Sequence, residues 1–255
     1  QTAFLRVVME AVRDAGGVDG KRAGVIANMQ CDAEIARYGL RWRLAEWAER
    51  WAEAGHLADA AWLVRARDAT VAPLDVAAVL GTMPNMPANR INSQFDLRGL
   101  GFTTSDEEAS GLVPLQLSCR ALRANELDVA IAGAVDLACE PVTRAALGGK
   151  EAGDVAVALV LKREADARRD GNRIYALLGP DVAGASELGV SEVAARFGTA
   201  PAATELLSIA AAAIAVASRR TQRTGDSWIA SKGARRASVR NIAVSEPGGE
   251  APVRS

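Results

Sequence analysis

The chain has 255 residues and carries 30 basic against 31 acidic side chains, a formal net charge of −1 at pH 7. This balance argues against a dedicated nucleic-acid-binding protein, which would carry a basic excess. Apolar residues make up 49% of the chain, which is enough for a core and excludes wholesale disorder. The length fits one large α/β domain or two small ones.

The histidine and cysteine content excludes several kinds of catalytic and metal site. His56 is the one histidine in the sequence, so a zinc site built on several histidines is impossible, as is a mechanism that needs two. Cys31, Cys119 and Cys139 form no C-x-x-C pair, and an odd, scattered set is typical of reduced thiols in a cytosolic protein. We predict a cytoplasmic protein without a metal or a cofactor, with Cys119 in the core.

The longest apolar run and the first residues of the chain bear on membrane contact and on whether the sequence is a whole protein. The longest apolar run, residues 206–217, is too short to span a bilayer, so we expect no membrane partner. The chain begins at Gln1 with neither an initiator Met nor a signal-peptide pattern, so we expect an excised or incomplete domain.

The first quarter of the chain predicts a helix, a strand and a second helical stretch. Apolar residues recur at helical spacing over residues 4–15, and the Gly-Gly pair that follows ends the helix. The run AGVIA, residues 23–27, predicts a short buried strand. Residues 33–63 predict a long helical stretch with a break at Gly55 and His56.

The middle of the chain predicts a short helix, a loop, a helix and a strand. Pro73 is expected in the first turn of a short helix that ends before Gly81. Residues 81–101 are rich in Gly, Pro and Asn, so we expect an ordered loop there. Residues 111–124 predict a helix with one apolar face, and the run DVAIAGAV, residues 128–135, predicts a buried strand.

The rest of the chain continues the alternation of helices and strands. Further strands are predicted over residues 154–161, 173–178 and 238–244. An Ala-rich helix is predicted over residues 202–219. Because helices alternate with apolar strands, the sequence indicates an α/β protein with covered sheets.

Two groups of large or charged side chains leave alternatives open. One group has the spacing of a helical face packed in the core or in an interface, and its alternatives are base stacking or membrane contact: Trp42, Trp47 and Trp51. The other predicts a solvated basic turn, with contact to an acidic carrier protein as its alternative: Arg235, Arg236 and Arg240.

One continuous block, residues 89–137, carries most of the information about function. The informative segments in and next to it are ANRI, FDLRG, FT, LV, ALR and AGAV, at residues 88–91, 95–99, 102–103, 112–113, 121–123 and 132–135. These segments resemble the nucleophile region of the β-ketoacyl synthases, the condensing enzymes of fatty-acid and polyketide assembly. Residues 4–16, 157–175 and 197–215 resemble other segments of the same family, in the same order.

The resemblance implies a fold and a division of the chain. The family has a thiolase-like fold, a layered α/β/α/β/α arrangement with buried helices between two sheets, and its members are dimers. The implied division is an N-terminal half over residues 1–165, a shortened C-terminal half over 166–246 and a tail over 247–255. The run GTMPNMPANRINS looks most like the chain-length-factor-type domain of polyunsaturated-fatty-acid and iterative polyketide synthases.

The catalytic positions that the resemblance places are all replaced. The family uses a Cys thiolate at a helix N-terminus to hold the acyl chain, and two histidines for decarboxylation and enolate stabilisation. The Cys position falls on Glu108, the second His on Thr199 and a Lys on Ala194, while the HGTGT motif of the first His is absent. The resemblance therefore implies no catalytic residue, and it leaves the question of enzymatic activity open.

Glu108 keeps three interpretations. Ser105-x-x-Glu108 has the spacing of a capping box, in which an ionised Glu108 would bond back to the backbone of Ser105 at a helix start. A protonated Glu108 could instead imitate the Gln that decarboxylating relatives carry in place of the Cys. A contact with a partner protein is the third possibility. Capping is the interpretation that the spacing favours.

The resemblance leads to three functional hypotheses. The first is a non-catalytic chain-length-factor-like component that pairs with an active ketosynthase, receives an acyl carrier protein, and shapes the acyl tunnel. Tunnel-lining or interface candidates are Met83, Met86, Asn89, Phe102 and Thr104. The second is a malonyl-carrier-protein decarboxylase that uses Glu108. The third is an inactive, truncated β-ketoacyl synthase.

Overall fold

The computed structural model describes residues 1–55, 59–105, 111–179, 190–217 and 242–244. The chain divides into two compact units, one made of Gln1–Gln30 with Pro87–Ser255 and the other of Cys31–Met86. Three predicted features lie outside the described residues: His56 at the helix break, Glu108 of the capping box, and the basic turn at Arg235, Arg236 and Arg240. The tail over residues 247–255 also lies outside them.

The first unit alternates helices with the strands of one sheet. Its helices are α1 (Thr2–Asp14), α5 (Met86–Phe95, which begins at the unit boundary), α6 (Val113–Arg123), α7 (Pro141–Ala146), α8 (Glu164–Arg169), α9 (Val190–Phe197) and α10 (Thr204–Ala217). Its strands are β1 (Ala23–Met29), β2 (Gly101–Thr104), β3 (Val129–Leu137), β4 (Asp154–Arg163), β5 (Ala176–Leu178) and β6 (Ile242–Val244).

The described strands form a six-stranded sheet in the order β2-β1-β3-β4-β6-β5. β1 runs parallel to β2 and β3, β4 runs antiparallel to β3, and β6 runs parallel to β4 and β5. Because β4 is antiparallel, Val129 at the start of β3 lies opposite Lys162 near the end of β4. At the other end Asp136 lies opposite Val155. The carboxyl ends of β1, β2 and β3 therefore share one end of the sheet.

Side-chain alternation along the strands divides the core between the two faces of the sheet. On one face, α1 and α5 cover Val25 of β1, Ile131 of β3 and Ala158 of β4. On the other face, α6, α9 and α10 cover neighbouring positions of the same strands, such as Ala132 and Leu159. The mixed α/β class with helices on both faces is confirmed. A second sheet is not among the described residues.

The first helix shows why the core forms where the sequence predicts it. Most of its apolar residues at helical spacing are buried, and Leu5 is partly buried; the buried ones are Phe4, Val7, Val8, Ala11 and Val12. The ring of Phe4 lies on Gly133 of β3, where a Cβ would come within 2.3 Å of the ring. Only glycine leaves room for this close approach between helix and sheet.

The second unit is helical and contains α2 (Ala33–Glu53), α3 (Ala60–Thr70) and α4 (Val76–Thr82). Aspartates 32, 59 and 75 each accept a hydrogen bond from a backbone N–H in the first turn of these helices, which explains where the three helices begin. Trp51 contacts Trp47 and Trp62 at ring-centroid distances of 6.3 and 6.2 Å, so these rings form a packed aromatic cluster. Trp42 is 75% exposed, so a core position is wrong for that residue, and a place in an interface stays a prediction.

Two predicted elements in the middle of the chain need correction. The loop expected over residues 81–101 contains the helix α5, in which Ala88 and Ile91 are buried and Pro87 occupies the first turn. A proline is tolerated there because the first turn needs no backbone donor. Pro73 precedes α4 rather than lying inside it, because Asp75 caps the helix, which then continues to Thr82.

Candidate functional site

Polar side chains meet at the carboxyl ends of β1, β2 and β3, in what we term the strand-end junction: Asn28, Thr104, Asp136 and the backbone of Ala202. Asn28 is fully buried, and its Nδ2 donates to the carbonyl oxygen of Ala202 at 2.9 Å. The Ala202 N–H donates to Asp136 Oδ2 at 2.9 Å. Thr104 Oγ1 donates to Asn28 Oδ1 at 2.9 Å. Three strands thus hold one residue of the segment that leads into α10.

The Asp136 carboxyl is 7% exposed and lies among apolar strand residues. Burial raises the pKa of Asp136 above its ordinary value, the hydrogen bond from Ala202 opposes this shift, and the nearby charge of Asp154 adds to it. The carboxyl is therefore easier to protonate than an exposed aspartate. This residue, like Asn28, was not predicted as part of a site.

The segment before α10 is built from hydroxyl groups that bond to the backbone. The Ala200 N–H donates to Thr204 Oγ1 at 2.9 Å, and Thr204 Oγ1 in turn donates to the Ala200 carbonyl at 2.8 Å. One turn later, Ser208 Oγ donates to the Thr204 carbonyl at 3.0 Å. The backbone at the start of α10 is therefore satisfied by its own side chains and by the strand-end junction.

Thr199, the position predicted for a histidine of the family, lies in a short parallel pairing with residues 151–153. Its N–H donates to the Glu151 carbonyl at 2.7 Å, and its carbonyl accepts from the Gly153 N–H at 3.0 Å. Gly198 makes this pairing possible, because it has φ of +82° and a Cβ there would lie 2.5 Å from the Ala152 carbonyl oxygen. Thr199 is thus held by its backbone, and its side chain cannot act as a base at neutral pH.

Ala194, the position predicted for a lysine of the family, lies in α9. Its carbonyl accepts from the Gly198 N–H at 2.8 Å, so it helps end that helix. A methyl group can neither bind an anion nor move a proton. Both described positions therefore hold ordered residues without acid–base or cationic groups.

Gly111, three residues after Glu108, contacts the first turn of α10. A Cβ at Gly111 would lie 2.8 Å from the Cβ of Glu205 and 3.1 Å from the Leu206 nitrogen. The structure therefore brings the residue that follows the predicted nucleophile segment next to the helix that follows Thr199. The resemblance implies that these two segments share one site.

Glu205 is a further residue of this region that sequence reasoning missed. Its Oε2 is buried and has no hydrogen-bond partner among the described residues. Burial raises the pKa of the Glu205 carboxyl above its ordinary value. The available signal was an acidic residue at the start of an otherwise apolar, Ala-rich helix.

The tunnel and interface candidates fall in different parts of the molecule. Thr104 belongs to the strand-end junction. Phe102 lies on the edge strand β2 with 38% of its surface exposed, and Asn89 is exposed on α5. Met83, which follows α4 and is exposed, and Met86 both belong to the second unit. Their lining of a tunnel stays a prediction.

The cysteine thiols of the first unit are not activated. Cys119 on α6 is fully buried, which raises its thiol pKa to about 11, although Arg123 lowers it slightly. Burial first, and then the charge of Asp154, raise the pKa of Cys139, whose thiol donates to the Ala152 carbonyl. Both thiols are therefore protonated at neutral pH and are poor nucleophiles. The core position predicted for Cys119 is confirmed, whereas Cys31 in the second unit is exposed.

Neither a metal centre nor a membrane span is found in the part of the chain that the structure describes. These residues contain no group of three or more His, Cys, Asp or Glu side chains placed to hold a metal ion. None of their helices combines the length and the apolar composition that crossing a bilayer requires.

Comparison with known families and proteins places this geometry in context. Residues 1–154 match the family described as "Beta-ketoacyl synthase, N-terminal domain". The highly reducing polyketide synthase cla2 of Cladosporium cladosporioides is 34% identical over 119 residues, which cover 39% of this chain and 5% of that protein. The phthioceranic/hydroxyphthioceranic acid synthase of Mycobacterium tuberculosis is 34% identical over 118 residues, covering 39% of this chain and 6% of that protein. The chain thus spans less than a tenth of the length of these relatives.

Two solved structures with partial backbone similarity to this chain are both described as ketosynthase proteins. The PfaC keto synthase-chain length factor has a TM-score of 0.46 and 23% identity, covering 54% of this chain and 15% of that one. The ketosynthase from module 6 of the bacillaene synthase of Bacillus subtilis 168 has a TM-score of 0.43 and 24% identity, covering 68% of this chain and 25% of that one.

Proposed function

Because the chain belongs to the β-ketoacyl synthase family and has a mixed α/β sheet with helices on both faces, we propose that it is a non-catalytic, chain-length-factor-type component of a polyketide or fatty-acid synthase. In this role it pairs with an active ketosynthase, which carries out the condensation. An acyl carrier protein delivers the growing chain to the pair. The proposal includes the division that the resemblance implies: an N-terminal half that ends at residue 165, a shortened C-terminal half that ends at residue 246, and a tail.

The observation that carries the proposal is the composition of the segments that lead into α10, the helix next to Gly111. Thr199 and Ala194 occupy the positions where the resemblance places a histidine and a lysine, and both lie in well-bonded backbone. Condensation needs a thiolate and imidazole groups, and Cys119 and Cys139 have raised thiol pKa values instead. Retained packing beside missing chemical groups supports a partner role rather than a catalytic one.

The β2 edge of the sheet, which has no further strand beside it among the described residues, supports pairing with a second chain. β2 ends the strand order and pairs with β1 on one side. Phe102 on this strand is exposed, and Thr103 Oγ1 is buried without a hydrogen-bond partner within the described ranges. An edge strand with an exposed aromatic residue is a ready template for strand addition by another protein. We propose β2 as part of the surface that meets the ketosynthase.

Co-expression with the ketosynthase encoded nearest to this chain tests the pairing, followed by size-exclusion chromatography with light scattering. A stable one-to-one complex is expected. Phe102→Glu is expected to weaken it about tenfold or more, because a buried charge replaces an aromatic anchor. Leu177→Glu is the matched control, since Leu177 is 48% exposed on β5 at the opposite edge of the sheet. A homodimer that ignores the ketosynthase contradicts the proposal.

Thiol chemistry tests the absence of catalysis. At neutral pH we expect iodoacetamide to label the exposed Cys31 much faster than Cys119, whose buried thiol has a pKa of about 11. Incubation with acyl thioesters is expected to leave Cys119 and Cys139 unmodified in mass spectra of tryptic peptides. An acyl-enzyme at either residue would show that the chain is a working acyltransferase.

One observation favours a decarboxylase as the second candidate. The Glu205 carboxyl next to Gly111 has a raised pKa, so a protonated carboxyl could polarise a malonyl thioester carbonyl in this region. The assay is acetyl-carrier formation from malonyl-carrier by the purified chain, compared with Glu108→Ala and Glu205→Ala, which both remove the carboxyl without leaving a hydrogen-bond donor. Turnover that both substitutions abolish would replace the non-catalytic proposal. Aggregation of the chain both with and without the ketosynthase would favour the truncated synthase.

A further inference from the structure

A charged cavity of about 480 Å³ lies in the first unit, at the end of the sheet opposite the strand-end junction. Lys21 and Arg22 precede β1, Asp128 precedes β3, and Lys162 lies near the end of the antiparallel β4, so all four reach the same end. A cavity of this volume falls within the range of small-molecule sites, about 300–1,000 Å³. Neither the condensation chemistry of the family nor the proposed pairing uses it.

The cavity lining carries more positive than negative charge. Its cationic side chains are Lys21, Arg22, Lys162, Arg163, Arg169 and Arg173. Its carboxylates are Asp19, Asp128, Asp166 and Asp170. Six cations against four carboxylates leave a surplus of two positive charges, although the whole chain has a net charge of −1. The surplus is therefore local to this cavity.

Two of the carboxylates are held by three of the cations. Asp128 bonds to Arg163 at 2.5 Å and pairs with Arg22 at 3.2 Å. Asp166 bonds to the same Arg163 at 2.6 Å and to Arg169. The alternating charges form one connected network, so these acids are already neutralised.

The other two carboxylates are also occupied. Asp170 accepts from Lys162 and from Arg169, the latter at 2.9 Å, and the bond from Lys162 is the main reason that its pKa is lowered. Asp19 Oδ1 accepts from the backbone N–H of Lys21 at 3.1 Å. Every carboxylate of the cavity therefore has a partner other than the Lys21 ammonium and the Arg173 guanidinium.

Lys21 and Arg173 supply the surplus. Within the described ranges neither side chain has a carboxylate partner. The Arg173 guanidinium lies over the ring of Tyr175 at 4.5 Å, an arrangement that fixes the guanidinium while its N–H donors remain available in its plane. Two cations without acidic partners in one cavity can both donate charge-assisted hydrogen bonds to the oxygens of a phosphate. Apolar walls formed by Val18, Val160 and Ile174 lie in the same cavity.

We propose that this cavity binds a small phosphate monoester with an apolar substituent, whose phosphate is held by Lys21 and Arg173. The apolar substituent lies against Val18 and Ile174. The site is separate from the strand-end junction, so its occupation does not require acyl transfer and does not depend on the proposed pairing.

Titration calorimetry of the full chain, alone or in complex with its ketosynthase, tests the site with propyl phosphate and inorganic phosphate at low ionic strength. Propyl phosphate is expected to bind more tightly than inorganic phosphate, because the propyl group buries apolar surface. Lys21→Ala and Arg173→Ala are each expected to weaken propyl phosphate binding about tenfold or more, since each removes a charged hydrogen-bond donor. Lys150→Ala and Arg120→Ala change exposed cations outside the cavity and are the matched controls.

Several results would overturn the proposal. One is that neither phosphate binds. Another is that the control variants weaken binding as much as Lys21→Ala and Arg173→Ala do. A third is that propyl phosphate and inorganic phosphate bind equally well, because the apolar walls would then contribute nothing. Circular dichroism melting verifies that each variant is folded. Arg173→Ala also removes the guanidinium that packs on the Tyr175 ring, and this variant could fail to fold. In that case the binding measured for Lys21→Ala tests the proposal, since the Lys21 side chain is exposed and lies outside the core.

Discussion

The two ends of the central sheet are stabilised by opposite chemistry. At the strand-end junction, Asn28 and Asp136 hold the Ala202 backbone through buried hydrogen bonds, and Thr104 donates to the Asn28 side chain. At the other end, Arg163 links Asp128 and Asp166 in a network of alternating charges. Both ends terminate the same apolar strands, so strand composition does not explain the difference.

Solvent access explains it. Asp136 is 7% exposed, whereas the Asp128 side chain at the other end is 45% exposed and its partners reach solvent. A charge without water is costly, so the buried end uses neutral donors and its one carboxyl has a raised pKa. At the open end most of the ions reach water, so many charges can be placed close together, and the two ions that are only 14% exposed, Arg163 and Asp166, are paired with each other.

The largest effect is expected from Arg163→Ala. The Arg163 side chain is 14% exposed and donates to two carboxylates and to the carbonyls of Leu122 and Leu127. Its loss removes four hydrogen bonds at once from a mostly buried cation, although Asp128 keeps Arg22 and Asp166 keeps Arg169. We therefore expect the free energy of unfolding in urea to fall by about 3 kcal/mol or more. Arg168→Ala, which breaks the exposed pair with Glu164, is the control and is expected to cost less than about 1 kcal/mol. Equal losses would show that Arg163 is no more than a surface cation.

Asp136→Leu comes next. It removes the acceptor for the buried Ala202 N–H, and an unsatisfied buried donor costs about 1–3 kcal/mol. Asp136→Asn retains an oxygen acceptor and is the matched control, with an expected loss below that of the leucine variant. Urea unfolding measures both. If the leucine variant is as stable as the asparagine variant, the hydrogen bond from Ala202 to Asp136 does not contribute to stability.

The pH dependence of stability, compared between the wild type and Asp136→Asn, tests the raised pKa at the buried end of the sheet. Asp136 binds its proton more tightly in the folded chain, mainly because of burial, so its protonation stabilises the fold. As the pH rises from the ordinary value of 3.8 through the raised pKa, the stability of the wild type is expected to fall relative to Asp136→Asn. Parallel urea titrations of both proteins over a series of pH values that starts at ~4 measure the difference. An unchanged difference between the two proteins would contradict the raised pKa.

The smallest effect is expected from Arg22→Ala at the open end. The Arg22 side chain is 52% exposed, and its pair with Asp128 spans 3.2 Å. Such pairs contribute about 0–1 kcal/mol and weaken with salt. Thermal melting at low and at high NaCl concentration is expected to show a small loss that shrinks at high salt. A loss as large as that of Arg163→Ala would mean that the network acts as one cooperative unit.

Sequence patterns located the long elements well and misjudged where they end. The predicted strand over residues 23–27 continues to Met29, and the one over 128–135 continues to Leu137. Each prediction stopped just before a buried polar residue, Asn28 or Asp136, because a polar residue at the end of an apolar run is typical of a loop. The two residues that build the strand-end junction were missed for that reason.

The site was only partly predictable. Thr104 and Thr199 were named from the resemblance, and the structure places both segments near the start of α10. Glu205 and Asp136 owe their raised pKa values to burial that other segments impose, so the sequence around them could not indicate that character. The helix α5 was hidden by its Gly, Pro and Asn neighbours, although Pro87 is compatible with a first turn.

The sequence by itself determined the family, the α/β class and the residue types at the positions that the resemblance assigns to catalysis, because these depend on short local patterns. The tertiary structure decided which polar groups meet: Asn28 and Ala202 are 174 residues apart in the chain, yet share a hydrogen bond. It also decided which charges of the cavity are paired with carboxylates and which two are left over. Burial and charge balance are sums over distant segments, so no local pattern contains them.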